Sequence, residues 1–456
     1  MFAKETYIAR RAKLKQTIGS GLLLFLGNDE SGMNYADNTY HFRQDSTFLY
    51  FFGLPYAGLS AIIDIDNNRE IIFGDELTID AIVWMGTQPT LKEKSEAAGI
   101  TEVRPFKEIE TYLKNAQQKG QPIHYLPTYR AEHQIKLFQW LGVVPGAEKP
   151  SVPFIMGVVN QRNYKSEEEI AEIEKACIVT ADMHLAAMRT VRPGIRESEV
   201  AAAVAEVAYA NNYELSFPII ATINGQTLHN HDHSNLIKSG DMLLLDAGAE
   251  TEMGYAGDMS STIPADAKFT TRQREIYDIQ VAAHEAAVAA LRPGIPFVDV
   301  YELSCKVIME GLKELGFVKG DPMEAVRAGA HAMFMPCGLG HMMGLDVHDM
   351  ENLGEVYVGY DGQPKSTEFG RKSLRLGRKL EPGFVLTIEP GVYFIPELMD
   401  LWRSQNTEFI NYDKLFTYKD FSGIRNEEDY LITENGARLL GKKIPVRAEE
   451  VEAIRK

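Results

Sequence analysis

Two aspartates stand close together in a stretch whose pattern predicts a strand, a turn and a returning strand. The stretch is GDMLLLDAGAETEMGYAGDMSSTIP, in which Asp246 follows an apolar run and Asp258 lies on the predicted return strand. Such a run is expected to be buried, and two carboxylates in a sheet core are costly as bare charges. A divalent cation would remove that cost. The pair alone is equally well explained by one aspartate that caps a turn and one that faces water.

Three further stretches carry side chains that can bind metals. CGLGHMMGLDVHDMEN contains His341 and His348, and a neutral imidazole is a good ligand for Mn, Co, Fe or Zn. In LEPGFVLTIEPGVYF, Glu389 ends an apolar strand pattern. In GIRNEEDYLIT, Glu427 and Glu428 precede a predicted strand, and only one of two adjacent strand residues can face inward. Taken by itself, a histidine in a glycine-rich loop is more often a polar loop residue than a ligand.

Together these stretches supply four carboxylates and one imidazole from four separate segments of the chain. A mixed oxygen and nitrogen set of this kind suits a pair of Mn²⁺-like ions that share bridging carboxylates. Two such ions can activate a water molecule and stabilise the oxyanion that forms during attack on an amide. The set therefore predicts a hydrolytic metal site that needs no protein nucleophile. The candidate ligands are Asp246, Asp258, His341, Glu389 and Glu427.

The elements that must position these residues belong to the second of two predicted domains. The first part of the chain alternates strand patterns with helix patterns, which favours an α/β domain. Its predicted strands are residues 21–27, 46–54, 59–66 and 69–74, and its predicted helices are residues 90–98 and 131–141. Ser166 begins a capping box with Glu169, followed by a helix pattern to about Arg189. We therefore predict domains at residues 1–160 and 161–456.

The second predicted domain carries a faint internal repeat. The string Arg-Pro-Gly-Ile occurs at residues 192–195 and again at residues 292–295, each time between two predicted helices. In addition, Gly240 precedes Asp246 by six residues, and Gly383 precedes Glu389 by six residues. Two similar halves that face each other would bring Asp246 and Glu389 into one central site.

Composition narrows the class of protein. A chain of 456 residues is too long for one ordinary core. The formal net charge of −17 argues against a nucleic-acid partner, and no apolar run approaches the ~20 residues that span a bilayer. The N-terminus lacks the apolar stretch of a signal peptide. Three widely spaced cysteines argue against a disulfide framework and favour a reducing cytoplasm.

The four stretches, in this order, resemble aminopeptidase P, prolidase and their methionine aminopeptidase and creatinase relatives. The segments HFRQDSTFLYFFGLP (41–55) and VWMG (83–86) resemble the N-terminal domain of the branch that acts on Xaa-Pro bonds. The resemblance covers nearly the whole chain. It implies an N-terminal α/β domain followed by a C-terminal catalytic domain of the pita-bread fold, an α+β fold with pseudo-two-fold symmetry. It also implies a homodimer and a peptide substrate with proline at its second position.

The resemblance assigns a role to each candidate ligand. It implies that Asp246 and Asp258 bind one divalent cation and that Asp258 also bridges to the other. His341 and Glu389 are implied to bind the second cation, with Glu427 as a bridge, and Mn²⁺ is expected ahead of Co²⁺, Zn²⁺ or Fe²⁺. Glu389 also resembles the general acid and base of the family, which takes a proton from the attacking water and passes it on.

Other residues match the substrate side of the family site. His229 and His348 match two histidines that act on the substrate, and Arg425 matches an arginine beside the last ligand that is structural or gates the site. His231 and His233 are expected to be solvent-facing loop residues. Cys337 departs from the pattern, because the family usually has a histidine at this position, and a thiol hydrogen-bonds weakly.

The choice between the Xaa-Pro enzymes depends on Arg375. The stretch SLRLGRKLEPG resembles the prolidase version, in which this arginine binds the free carboxylate of a dipeptide. Arg375 could equally belong to a solvated basic segment with Arg371, Lys372, Arg378 and Lys379. We favour an Xaa-Pro dipeptidase slightly over aminopeptidase P, which acts on longer peptides. A metal-free peptide-binding module and a creatinase-like hydrolase are the more remote alternatives.

Overall fold

A computed structural model describes residues 1–455 of the chain. The chain divides into two compact units, one of residues Met1–Arg162 with Met350–Tyr357, the other of residues Asn163–Asp349 with Val358–Lys456. The predicted boundary between residues 160 and 161 stays a prediction. No helix among the described residues has the length and apolar character that a membrane span requires.

The first unit contains a mixed sheet in the strand order β4-β3-β2-β1-β5. The strands are β1 (Leu22–Leu26), β2 (Ser60–Asp64), β3 (Arg69–Phe73), β4 (Glu102–Arg104) and β5 (Ile123–His124). β2 pairs antiparallel with both β1 and β3. β5 pairs parallel with β1, and β4 pairs parallel with β3. The helices are α1 (Lys4–Ile18), α2 (Ser46–Phe52), α3 (Ile79–Met85), α4 (Leu91–Ala97), α5 (Glu108–Gln118), α6 (Ala131–Leu141) and α7 (Val152–Arg162).

One strand predicted in this unit is wrong. Residues 46–52 form helix α2, although the aromatic content of the predicted strand favours a strand. The side chain of Asp45 accepts a hydrogen bond from the backbone N–H of Phe48, which caps the helix, and Gly53 ends it in a left-handed conformation with φ 64°. Burial of the aromatic residues on several sides removes the periodicity that would have identified the helix.

The second unit is built from paired helices around short sheets. Its strands are β6 (Glu214–Leu215), β7 (Ile220–Thr222), β8 (Met242–Ala247), β9 (Ala249–Glu250), β10 (Met259–Pro264), β11 (Val385–Ile388), β12 (Gly391–Phe394), β13 (Ser422–Arg425), β14 (Glu428–Thr433) and β15 (Gly436–Leu439). Its longer helices are α8 (Glu167–Thr190), α9 (Glu197–Ala210), α10 (Thr271–Ala290) and α11 (Phe297–Glu314). Its shorter helices are α12 (Pro322–Arg327), α14 (Pro396–Leu401), α15 (Tyr412–Leu415) and α16 (Ala448–Ile454), and its 3-10 turns lie at Ala330–Met333, Arg371–Ser373 and Phe416–Tyr418. The segment Met350–Tyr357 of the first unit contains the 3-10 turn Glu351–Leu353 and most of α13 (Glu355–Val358).

The predicted capping box opens the second unit. The hydroxyl of Ser166 accepts from the backbone N–H of Glu169, and the Glu169 side chain accepts from the backbone N–H of Ser166. This arrangement satisfies two donors that would otherwise lack intrahelical partners. It fixes the start of α8, which is buried along much of its length.

The internal repeat corresponds to two halves with matching connections. Both Arg-Pro-Gly-Ile strings join a pair of long helices, and their glycines have positive φ of 92° at Gly194 and 84° at Gly294. The N–H of Gly194 donates to the carbonyl of Ile237 at 2.9 Å, and that of Gly294 donates to the carbonyl of Leu380 at 2.8 Å. Each string is thereby attached to the segment that leads into β8 in the first half and into β11 in the second half. These matching connections define the pseudo-two-fold relation.

The two halves meet through their central sheets. In the first half β8 lies between β10 and β7, and in the second half β14 lies between β11 and β15. The backbone N–H of Glu427 donates to the carbonyl of Ser260 at 3.0 Å and connects the two sheets. The fold is thus the α+β pita-bread architecture that the resemblance implies, preceded by an α/β domain.

Candidate metal centre

The first pair of candidate ligands is positioned by the antiparallel strands β8 and β10. Asp246 lies near the end of β8, opposite Ser260, and Asp258 directly precedes β10. Their exposed fractions are 8% and 5%. Because the register fixes which side chains share a face of the sheet, the aspartates of one hairpin face the same interior space.

The second pair comes from the equivalent strands of the other half. Glu389 follows β11, and Glu427 directly precedes β14. The carboxylate of Glu427 accepts a hydrogen bond of 2.7 Å from the hydroxyl of Ser260, which fixes it at the junction of the two sheets. Glu428 is also buried, but its carboxylate accepts from the hydroxyl of Tyr430 at 2.8 Å. Strand alternation therefore separates the two neighbouring glutamates.

His341 brings an imidazole to the carboxylates of both halves. Its Nε2 atom lies 3.4 Å from Oδ2 of Asp258 and 3.6 Å from Oε1 of Glu389. Its Nδ1 atom lies 3.1 Å from the carbonyl oxygen of Met342, to which it donates. That hydrogen bond selects the tautomer in which Nε2 has a free lone pair, as a metal ligand requires. One ligand atom each from Asp258, His341 and Glu427 lie within 4.8 Å of one another.

The side chains present fit a bound cation. Oδ1 of Asp246 and Oδ1 of Asp258 are buried without a hydrogen-bond partner. Burial, followed by the charge of Glu427, raises the pKa of Asp258 well above its ordinary value. Burial, followed by the charge of Glu389, does the same for the pKa of Glu427. Several buried carboxylates with free oxygen atoms are a stable arrangement only when a positive charge compensates them.

Arg425 provides one part of that compensation. Its guanidinium donates to the carboxylate of Asp246, to the hydroxyl of Ser260 at 2.8 Å and to the hydroxyl of Tyr393 at 3.0 Å. It is only 3% exposed. Because a planar guanidinium presents its donors in a fixed geometry, Arg425 orients Asp246 directly and reaches Glu427 through the hydroxyl of Ser260.

The predicted substrate-side residues lie around the same carboxylates. The rings of His341 and His348 have centroids 4.3 Å apart in an edge-to-face arrangement. Partial burial, followed by the charge of Arg425, lowers the pKa of His229, and the charges of Asp246 and His348 act on it as well. His348 thus packs against a candidate ligand, and His229 lies within electrostatic range of Asp246 and His348.

Arg375 lies close enough to act on the cluster electrostatically. Burial raises the pKa of Glu389, and the positive charges of Arg425 and, more weakly, Arg375 oppose that increase. Arg375 also contributes to the lowering of the pKa of His341, after burial and His348. Arg375 therefore lies within electrostatic range of Glu389 and His341.

Its basic neighbours have other partners. Arg371 pairs with Glu302 at 3.0 Å, and Arg378 pairs with Glu381 at 2.9 Å. Lys372 and Lys379 are exposed. Within this segment, the residue that resembles the carboxylate-binding arginine is therefore also the one that acts on the cluster.

The histidine-rich loop is arranged differently from the prediction. His231 is exposed, as expected. His233 is half-buried, and its Nε2 atom lies 3.0 Å from the carbonyl oxygen of Ile219. The expectation that His233 faces solvent is therefore wrong, because the ring binds the backbone beside strand β7.

Cys337, at the position where the family pattern has a histidine, lies near Glu389 and Tyr393. Burial, followed by the charge of Glu389, raises its pKa to about 12, and the hydroxyl of Tyr393 acts in the opposite direction through a hydrogen bond. The side chain is a neutral thiol in this setting. It can neither donate strongly nor carry a positive charge as a histidine could.

Two buried contacts of the site were not predicted. Ser260 binds both Glu427 and Arg425, and Asp429 accepts from the backbone N–H of Asp258 at 3.1 Å. The position of Ser260, two residues after Asp258 on a predicted strand, places both side chains on one face and was the available signal. The contact of Asp429 crosses between the halves and has no local signal.

A set of four carboxylates and one imidazole, buried except for the half-buried Glu389 and shared between two pseudo-symmetric halves, defines the pita-bread class of metal-dependent hydrolases. The chain belongs to metallopeptidase family M24, whose model matches residues 171–434. The model described as the aminopeptidase P N-terminal domain matches residues 7–124. Both models match in the order that the sequence predicts.

Relatives with two different activities are similar to the whole chain. A human protein named Xaa-Pro dipeptidase is 28% identical, over 98% of this chain and 91% of the relative. An Escherichia coli protein named Xaa-Pro aminopeptidase is 31% identical, over 99% of this chain and 98% of the relative. The solved structure of proline aminopeptidase P II from Yersinia pestis has a TM-score of 0.82 at 27% identity, and covers 100% of this chain and 99% of its own.

Proposed function

We propose that this protein uses two divalent cations to hydrolyse the Xaa-Pro bond of short peptides. The expected cation is Mn²⁺, ahead of Co²⁺, Zn²⁺ or Fe²⁺. The observation that carries the proposal is the convergence of the five candidate ligands on one buried site in which two aspartate oxygen atoms have no partner. The relatives named for Xaa-Pro cleavage cover nearly all of the chain and support the same reaction.

In this proposal each half supplies part of the ligand set. Asp246 and Asp258 would hold one cation and His341 and Glu389 would hold the other, with the carboxylates of Asp258 and Glu427 available to both. When bound, the cations activate water for attack and stabilise the negative charge that develops on the peptide carbonyl.

The remaining steps belong to side chains of this chain. Glu389 accepts the proton that the water loses and delivers it to the leaving amine of proline. His229 and His348 bind the substrate beside the carbonyl that is attacked. Arg425 holds Asp246 and Ser260 in place and does not touch the substrate.

We favour an Xaa-Pro dipeptidase over an aminopeptidase P because of Arg375. A guanidinium group near the cluster can pair with the free carboxylate that follows proline in a dipeptide and is absent at this point in longer peptides. The alternative, an Xaa-Pro aminopeptidase for longer peptides, is supported by the Escherichia coli relative and by the solved structures of aminopeptidase P.

The test is hydrolysis of Ala-Pro beside Ala-Pro-Ala, with added Mn²⁺ and with a chelator. Chelator-sensitive cleavage of the dipeptide alone would establish the dipeptidase. Cleavage mainly of the tripeptide would establish the aminopeptidase instead. Absence of cleavage, together with absence of bound metal, would overturn both in favour of a peptide-binding module, and turnover of creatine alone would favour a creatinase-like hydrolase.

We also propose a homodimer located in the cytoplasm. Helix α3 exposes Ile79, Val83 and Trp84 by 72%, 73% and 85%, and such an apolar patch is typical of a protein interface. Cys177, Cys305 and Cys337 are free thiols, as is usual in a reducing compartment. Light scattering of the wild type and of Trp84→Asp tests the proposed dimer. A monomeric wild type would contradict it.

A further inference from the structure

A buried ion pair lies beside the loop that carries the histidines. Nζ of Lys165 lies 2.8 Å from Oδ2 of Asp349, and each side chain is only 1% exposed. Lys165 directly precedes the cap of α8, whereas Asp349 directly follows His348. The pair therefore ties the start of the second unit to the end of the loop between His341 and His348.

The backbone of Asp349 continues this connection towards His341. Its N–H donates to the carbonyl of Met342 at 2.8 Å. The same carbonyl accepts from Nδ1 of His341. The position of Asp349 thus fixes the acceptor that selects the tautomer of the His341 ring. The other carboxylate oxygen of Asp349 accepts from the backbone N–H of Asp346 at 3.3 Å, so that the loop closes on itself.

Lys165 and the loop also contact the segments that lead to two other ligands. The backbone N–H of Lys165 donates to the carbonyl of Gly383 at 2.9 Å, just before β11 and Glu389. The carbonyl of Gly344 accepts from the N–H of Ala256 at 2.9 Å, just before Asp258. A Cβ atom at Gly344 would lie 2.8 Å from Oδ2 of Asp349 and 2.9 Å from Cε of Lys165. A larger side chain at Gly344 would therefore displace the ends of the Lys165 and Asp349 side chains.

Stability alone does not account for this pair. The loss of hydration of two buried charges often cancels their attraction, and apolar residues of similar volume commonly replace such a pair without loss of stability. The pair has a geometric consequence that apolar residues could not reproduce, because it fixes the direction and length of the link between α8 and the loop.

We propose that Lys165 and Asp349 are positioning residues that hold the loop Met342–Asp349 so that His341 and His348 face the carboxylate cluster. The roles of His341 and His348 in this inference rest on the proposed function. The ordering of the loop by the ion pair does not. Neither residue of the pair touches the substrate.

The experiment compares the wild type with the double variant Lys165→Met/Asp349→Leu, which removes both charges and keeps an apolar volume. Hydrogen exchange of the metal-depleted proteins, followed by mass spectrometry, measures protection of the loop. We expect faster exchange in residues 342–349 with an unchanged thermal unfolding temperature. Calorimetric titration with Mn²⁺ should give an affinity lower by about 10- to 100-fold, the usual effect of losing an outer-shell contact.

A matched control is the exposed pair of Lys306 and Glu310 on α11, whose side chains are 38% and 47% exposed at a distance of 3.0 Å. Lys306→Met/Glu310→Leu should leave exchange of the loop and Mn²⁺ affinity as in the wild type. The variant Lys165→Arg keeps the charge and should therefore retain part of the loop protection and part of the Mn²⁺ affinity. Because Lys165→Met alone leaves a buried carboxylate without its cation, it is expected to lose stability and does not serve as the main variant.

Three outcomes separate the inference from the proposed function. Unchanged loop exchange and unchanged Mn²⁺ affinity in the folded double variant would overturn the positioning role even if the wild type cleaves Ala-Pro. Faster loop exchange with weaker Mn²⁺ binding would support it even if no Xaa-Pro peptide is cleaved. If the double variant exchanges faster throughout the second unit, the pair stabilises the fold in general, and the positioning role is wrong.

Discussion

Nε2 of His341 lies 3.4 Å from Oδ2 of Asp258, although the two residues belong to different halves of the second unit. Asp258 precedes β10 of the first half, and His341 lies in the loop before β11 of the second half. A cation between them would be held by both halves at once. Metal binding is therefore expected to depend on how the halves are joined, as well as on the ligands themselves.

The exchange Asp258→Asn tests this dependence. It keeps the volume of the side chain but removes the negative charge that the proposal assigns to both cations. The loss of an outer-shell contact usually lowers metal affinity by about 10- to 100-fold. We expect the loss of this ligand charge to lower Mn²⁺ affinity by more than that. We also expect hydrolysis of Ala-Pro to be abolished. Metal content of the purified protein and initial rates measure the two effects.

The control for this exchange is Asp278→Asn on α10, where the side chain is 53% exposed and pairs with Arg274. It should keep both metal content and activity. Full activity in Asp258→Asn would contradict the assignment of two cations to this cluster.

The exchange Arg375→Ala tests the preference for dipeptides. Loss of a charge-assisted hydrogen bond to the substrate carboxylate removes about 1.5–3 kcal/mol, which corresponds to roughly 10- to 100-fold in affinity. We expect KM for Ala-Pro to rise by this factor and KM for Ala-Pro-Ala to change little. Steady-state kinetics with both peptides give the comparison.

Lys379→Ala is the matched control, because this exposed residue lies in the same basic segment. It should leave both KM values unchanged. If Arg375→Ala affects the dipeptide and the tripeptide equally, the reason for preferring a dipeptidase disappears.

Local sequence patterns were sufficient to predict the elements that have a helix cap or a regular apolar pattern. The capping box of Ser166 and the apolar run before Asp246 each predict an element that the structure contains. Residues 46–54 could not be assigned correctly, since aromatic residues buried on several sides carry no period. The cap at Asp45, three residues before Phe48, was the signal that favoured a helix.

The contacts around the site were less accessible to sequence reasoning. The resemblance supplied the candidate ligands as a set, and the structure brings them together. The bonds that orient them join residues far apart in the chain, such as Asp349 with Lys165 or Arg425 with Asp246. Such pairs leave no spacing pattern, because only the folded chain makes them neighbours.

Cys337 is expected to resist alkylation in the folded protein. Its pKa is raised to about 12, chiefly by burial, so that the thiol stays protonated at pH 7.5, whereas the thiolate is the species that reacts. Incubation with iodoacetamide at pH 7.5 should leave intact mass and peptidase activity unchanged. The denatured protein, in which cysteines return to a pKa of about 8.5, should be labelled and is the control. Rapid labelling of folded Cys337 would contradict a protonated thiol.

Glu70 is expected to make the stability of the first unit depend on pH. It pairs with the fully buried Arg11 at 2.8 Å, and Arg11 and Lys15 together hold its pKa below the ordinary value against the effect of burial. A depressed carboxyl pKa gives stability that is present above the unfolded pKa of about 4.3 and is lost as pH falls through the folded value.

Glu70→Gln leaves Arg11 buried without its carboxylate partner, so we expect a loss of about 3 kcal/mol in the free energy of unfolding near pH 7. The difference from the wild type should be smaller below about pH 4. Urea unfolding followed by circular dichroism at both pH values measures this loss, with the exposed Glu110→Gln as control, and a difference that stays constant with pH would contradict the coupling.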